Sequence, residues 1–133
     1  MLHQNSQKRY KIDNAVYFIT IKTDNSSPLF RERIFCDLLV EEILLCQKLK
    51  SFVLYGFCIL HNHAHILLQA SEKYNISKVI QSLKKESSRD INYVIEGDIP
   101  ECRLQGQQFS YRFSKNFTAP NLLKYKNRFK WQP

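Results

Sequence analysis

Two apolar runs, FVLYGFCIL (52–60) and HAHILLQ (63–69), are separated by nothing but His61 and Asn62. Both are rich in β-branched, aromatic and aliphatic residues, as strands are. A two-residue connection can join strands only as an antiparallel hairpin, because a parallel crossover needs a dozen residues or more. The hairpin fixes the middle of the fold, and every other element must be arranged around it.

Ahead of it, AVYFITIK (15–22) reads as a first strand, and TDNSSP (23–28) supplies turn chemistry. Ser27 is placed to cap a helix and Pro28 suits the first turn, where no backbone donor is needed. That helix is predicted to run to residue 50. Its buried stripe is Phe30, Ile34, Leu38, Phe35, Leu39, Leu45 and Leu49, and its outer face carries Glu41, Glu42 and Lys48. After the hairpin, Asn75 or Ser77 caps a second helix with Ile76, Val79, Ile80, Leu83 and Ile91 inward. Lys78, Lys84, Lys85, Arg89 and Asn92 fall on its opposite face.

Gly97, Pro100, Gly106 and Pro120 interrupt any long element between residues 96 and 120, which reads as loops. NRFKWQ (127–132) alternates bulky and polar residues as a short last strand would, and the polar residues 1–14 read as a flexible lead-in. The order strand, helix, strand, strand, helix, strand predicts an α+β fold, a ferredoxin-like βαββαβ sandwich with an antiparallel sheet and two helices on one face. At 133 residues this is a single domain, 1–133.

Strand side chains alternate, so His63 and His65 point to the same side of the sheet, and His61 joins them if strand geometry reaches back that far. If Ile66 and Leu68 face the helices, the histidines face the open side. Two neutral imidazoles side by side are half of a metal site, while a lone strand histidine is usually satisfied by backbone or water.

The charge is unevenly spread. Of the 20 Lys and Arg, 13 share residues 1–101 with all 12 Asp and Glu; residues 102–133 carry seven and no acid. Phe109, Tyr111, Phe113, Phe117, Tyr125, Phe129 and Trp131 are interleaved with them, a mixture that neutralises phosphates and stacks unpaired bases. Lys84, Lys85 and Arg89 on the second helix, with Arg128 and Lys130 near the end, are the candidate DNA contacts. The four cysteines, Cys36, Cys46, Cys58 and Cys102, have no C-x-x-C spacing and read as small buried hydrophobes. No leader and no membrane-length apolar run is present, so a cytoplasmic protein with no membrane partner is expected.

GFCILHNHAHILLQ (56–69) resembles the segment around the His-hydrophobic-His signature of single-tyrosine transposases, particularly the REP-associated tyrosine transposases of the insertion-sequence-200-like group. Those commonly read Met-Pro-Asn-His-x-His; here Leu60-His61-Asn62-His63-Ala64-His65 puts His61 in place of the proline. YFITIKT, LFRERIF, IQSLKKESSRDIN and RFKWQP extend the similarity over roughly residues 15–95 and the last half-dozen.

The resemblance implies a protein that binds single-stranded or hairpin DNA. His63 and His65 would hold Mg²⁺ or Mn²⁺ beside the scissile phosphate, and a tyrosine would attack it to leave a 5′-phosphotyrosine and a free 3′-hydroxyl. The family's tyrosine lies on a helix just beyond a Trp-Gln pair, whereas here Trp131 and Gln132 are followed only by Pro133. This implies a chain truncated before its nucleophile, with Tyr125 or Tyr111 as the available substitute. His61 is the candidate third metal ligand, and a second copy of the chain is among the expected partners.

Two readings from other classes compete. One is a non-catalytic module that binds RNA or single-stranded DNA through aromatics on an open ferredoxin-like sheet. The other is an RNA-processing nuclease in which the histidines act as acid and base without metal.

Overall fold

The computed structural model describes residues 15–96 and 128–133. The strands are β1 (Val16–Lys22), β2 (Val53–Leu60) and β3 (His63–Gln69); the helices are α1 (Arg33–Lys50) and α2 (Ile76–Ile95). The sheet is antiparallel with β3 central, in the order β1-β3-β2. The hairpin forms as expected, with Leu60 opposite His63 across His61 and Asn62.

Both helices pack on one face of the sheet. Ile19 and Ile21 of β1 and Ala64, Ile66 and Leu68 of β3 are buried there against Phe35, Leu38, Leu39 and Ile43 of α1 and Ile80, Leu83 and Ile91 of α2. Alternation along β1 and β3 then leaves Val16, Phe18, Thr20 and Lys22, with His63, His65, Leu67 and Gln69, on the other face. Burial of each such aliphatic side chain stabilises the fold by about 1.5–3 kcal/mol, so this helix-facing stripe sets the register. A one-residue slip would exchange the two faces.

α1 starts later than Ser27 and Pro28 suggest. Two short 3₁₀ turns, Asp24–Ser26 and Leu29–Arg31, intervene, and Glu32 precedes the helix without a side-chain cap. Leu29 and Phe30 are buried in the second turn, so core contacts hold it in place of a continuous helix. Glu42, expected outside, is fully buried, whereas Leu49 is exposed. Ser51 closes α1 in the left-handed conformation (φ 54°). α2 is capped as expected: Asn75 Oδ1 accepts from the Lys78 N–H at 2.9 Å.

The last strand is reduced to a single antiparallel bridge between Thr23 and Trp131. Asp24 N–H donates to the Lys130 carbonyl at 3.0 Å and Gln132 N–H to the Lys22 carbonyl at 2.8 Å. The segment is held mainly by α2. Asn92, expected on the outer face, is 5% exposed. Its amide accepts from Phe129 N–H (2.7 Å) and donates to the Phe129 carbonyl (2.9 Å), replacing a strand partner. Trp131 Nε1 donates to Ser87 Oγ at 2.9 Å, and its ring stacks on Phe30. Of the cysteines, Cys46 is buried, Cys36 half-buried and Cys58 exposed, against the expectation for the last; Cys102 lies outside the described residues. No described helix is long and apolar enough to cross a membrane.

Candidate metal centre

His63 and His65 occupy the open face of the central strand, flanked by Lys22 and Thr20 on β1 and by Leu60 and Cys58 on β2. Their rings meet edge to face with centroids 4.9 Å apart. The alternation read from the sequence therefore places both where it should, half-buried and uncovered by the helices.

Each ring is held through Nδ1. Asn62 Oδ1 lies 2.7 Å from His63 Nδ1, and a carbonyl oxygen can only accept, so His63 carries its proton on Nδ1 and leaves the Nε2 lone pair free. Thr20 Oγ1 lies 2.9 Å from His65 Nδ1, and Phe18 stacks on the same ring at 5.2 Å and 23°. With Thr20 accepting, His65 also presents Nε2. Fixing one ring nitrogen by hydrogen bonding orients the other for a cation. Neither Asn62 nor Thr20 was singled out from the sequence. Asn62 adjoins the pair and carried a signal; Thr20 is 45 residues away and is found only through strand register.

Asn62 is itself anchored. Its carbonyl accepts from the Thr23 N–H (2.9 Å) and the Thr23 hydroxyl (3.1 Å), and the His61 carbonyl accepts from Phe30 N–H (3.0 Å). Neither turn residue has positive φ, so the turn lacks the conformation that two-residue hairpins favour. Donors outside the hairpin hold it instead.

Partial burial, then the nearby His65, His61 and Lys22, push His63 below its ordinary pKa of 6.5. Its imidazole is accordingly neutral at pH 7, the form that binds metal. His61 is exposed at the turn. Among the described residues no group of three or more His, Cys, Asp or Glu is placed to hold a metal ion, so His61 does not complete a three-ligand site. The pair fits a divalent ion as two nitrogen donors, the rest of the shell being left to water or substrate oxygens.

The predicted DNA contacts do not gather around the histidines. Lys84, Lys85 and Arg89 lie on α2, on the far side of the sheet. Lys84 Nζ donates to the Gln132 carbonyl at 2.9 Å. Arg89 pairs with Glu86 (2.9 Å) and Asp90 (3.2 Å). Burial works against its charge, but Asp90, Glu86 and Glu42 outweigh that and raise its pKa. Lys85 is exposed. Arg128 and Lys130 are exposed, 3.5 Å from Glu96 and Asp24 respectively. Lys22, the cation opposite His63, was missed. Tyr111 and Tyr125 lie outside the described residues. Tyr55 is on the open face, but its hydroxyl donates to Gln69 Oε1 at 2.7 Å, four residues and about 13 Å along β3 from His65.

Residues 11–113 match the family described as Transposase IS200 like. The chain belongs to the IS200-like transposases. Two solved structures share the fold of this transposase, each at 18% identity. One is a REP-associated tyrosine transposase bound to a REP hairpin, with TM-score 0.56, covering 65% of this chain and 52% of its own. The other, assigned as a transposase from Deinococcus radiodurans R1, has TM-score 0.51 and covers 66% of this chain and 65% of its own. The transposase thus spans about half to two-thirds of these proteins' lengths. No curated protein matches it.

Proposed function

We propose that this chain binds single-stranded or hairpin DNA on the open face of its sheet and holds Mg²⁺ or Mn²⁺ through the Nε2 atoms of His63 and His65, in the strand-cleavage and joining chemistry of its family. The observation that carries the reading is the pair of imidazoles on one strand face, the one away from both described helices, each tied by Nδ1 so that Nε2 points away from its anchor. A REP hairpin bound to a protein of the same fold supports the DNA partner.

A bound divalent ion would supply charge neutralisation at a phosphate oxygen. The chain's own residues do the rest. Asn62 and Thr20 hold the rings in position, and Lys22 adds a positive charge on the same face beside His63. The depressed pKa of His63 keeps it a ligand instead of a cation at neutral pH. Lys85, Arg128 and Lys130 are exposed positive charges for backbone beyond the site, whereas Arg89 is offset by Glu86 and Asp90 and Lys84 is held by the Gln132 carbonyl on the far side of the sheet.

The nucleophile is a tyrosine hydroxyl: its oxygen bonds to phosphorus as its proton passes to water, and the bond from phosphorus to the 3′-oxygen breaks with that oxygen taking a proton from water. Tyr55 is too far from the pair for this, which leaves Tyr125 or Tyr111 of the basic segment as the substitute within the chain, with Tyr125 taken first. The test is cleavage of a 3′-labelled hairpin oligonucleotide in Mn²⁺, whose label stays with the fragment held on a 5′-phosphotyrosine. A covalent protein–DNA adduct lost in Tyr125→Phe supports the assignment, and an adduct that survives the substitution rejects it. Binding of the hairpin unchanged by Mn²⁺ and by His63→Ala rejects the metal reading.

A further inference from the structure

Next to the histidines the open face changes character. Phe18 of β1 and Gly56 of β2 lie opposite Leu67 of β3, one on each side, in the row adjoining His65. Phe18 is 66% exposed even while one side of its ring stacks on His65, and Leu67 is 37% exposed. Such aromatic and aliphatic surface in a row on a strand face is costly to leave in water unless something covers it.

Gly56 is the informative residue. It sits in the middle of a strand, where glycine is disfavoured, beside the bulge at Leu54–Gly56. Its backbone is not in the left-handed region, and a Cβ built there meets nothing within 4 Å. Neither backbone conformation nor crowding within the described residues calls for glycine. A glycine in a strand marks a bulge or a close approach of something from outside; the bulge lies here, and the empty space over Gly56 also leaves its bare backbone open to a flat ligand.

We infer that Phe18, Leu67 and Gly56 form a stacking site for one unpaired nucleobase, belonging to a nucleotide next to the phosphate held at the histidines. Leu67 and the bare backbone of Gly56 make a flat floor, and the Phe18 ring makes its aromatic edge. A planar base matches that shape. Lys22 lies on the same face beside His63, so the charge next to this row is positive and favours a polyanion over a neutral partner. Stacking is indifferent to sequence because every base has a π-face, so this site would demand an unpaired base and not a particular one. The inference rests on the DNA-binding reading above.

The test compares a ten-residue oligothymidylate with an abasic oligonucleotide of the same length and charge, by fluorescence anisotropy. Wild-type protein should bind the oligothymidylate about tenfold more tightly. Gly56→Val adds bulk where the structure has space, so it should fold with an unchanged or higher Tm and yet lose that preference. Phe18→Leu should lose it as well, and Phe18→Trp should keep it. Equal binding of both oligonucleotides by the wild type, or a full preference in Gly56→Val, overturns the stacking site alone. Failure to bind either oligonucleotide while a hairpin still binds overturns the stacking site, and failure to bind the hairpin as well overturns the DNA-binding reading itself. Self-association abolished by Gly56→Val with the base preference intact would show that a second copy covers this face, and would also overturn the inference.

Discussion

Asn92→Ala tests how the end of the described chain is tied to the histidine turn. Asn92 holds both the N–H and the carbonyl of Phe129, and a third bond runs from its amide to the Ser88 carbonyl. Removing the side chain strands two backbone groups beside buried Phe129, at about 1–3 kcal/mol each. The segment could detach to rehydrate them, but that gives up the burial of Phe129 and Trp131, about 1.5–3 kcal/mol apiece. The two routes cost about the same, so a loss of about 3 kcal/mol is expected, a large part of the 5–15 kcal/mol that typically stabilises a domain. Trp131 is the only tryptophan, so its emission during urea unfolding reports this segment while far-UV circular dichroism reports the helices. A loss below about 1 kcal/mol with unchanged native emission would refute the reasoning. The effect should extend to the site, because Trp131 bridges Thr23, and Thr23 holds the Asn62 carbonyl.

Other expectations are local. Asn62→Ala should weaken Mn²⁺ binding about 10- to 100-fold, as loss of a hydrogen bond that orients a ligating histidine does; isothermal titration checks it, and unchanged affinity would remove Asn62 from the site. In an NMR pH titration of metal-free protein, His63 should titrate below 6.5, and its midpoint should rise in His65→Gln. Because the folded pKa is the lower one, the unfolded chain takes up this proton first. The contribution to stability is therefore present above 6.5 and is lost as pH falls from there through the folded value. A midpoint at or above 6.5 would contradict the partial burial of the ring together with the placement of His65, His61 and Lys22 around it. Asn75→Ala should cost about 1 kcal/mol in urea unfolding through loss of the α2 cap.

The hairpin, the three main strands and the face on which the histidines lie were legible because each depends only on local periodicity. Ile66 and Leu68 had to go inward, so His63 and His65 had to go outward. What was not legible depends on pairing. Thr20 meets His65 through the β1–β3 register, and Asn92 meets Phe129 across 37 residues. Their polarity suggested solvent, although Ser87, Asp90 and Asn92 fall among the buried positions of α2 and a polar group there implies a specific partner. Glu42 shows the same failing on α1. The late start of α1 was hidden because Ser27 and Pro28 are good cap residues, and the burial of Leu29 and Phe30 overrides them. Lysines 84 and 85 were correctly placed on α2, but only the layer order shows that the helices and the histidines lie on opposite sides of the sheet.

The most direct test follows the imidazole signals of His63 and His65 by NMR while substoichiometric Mn²⁺ is added to the metal-free protein. Paramagnetic broadening of both rings together, with the effect on His65 lost in His63→Ala, is the predicted result. Both rings staying sharp at saturating Mn²⁺, or one broadening without the other, would contradict the account.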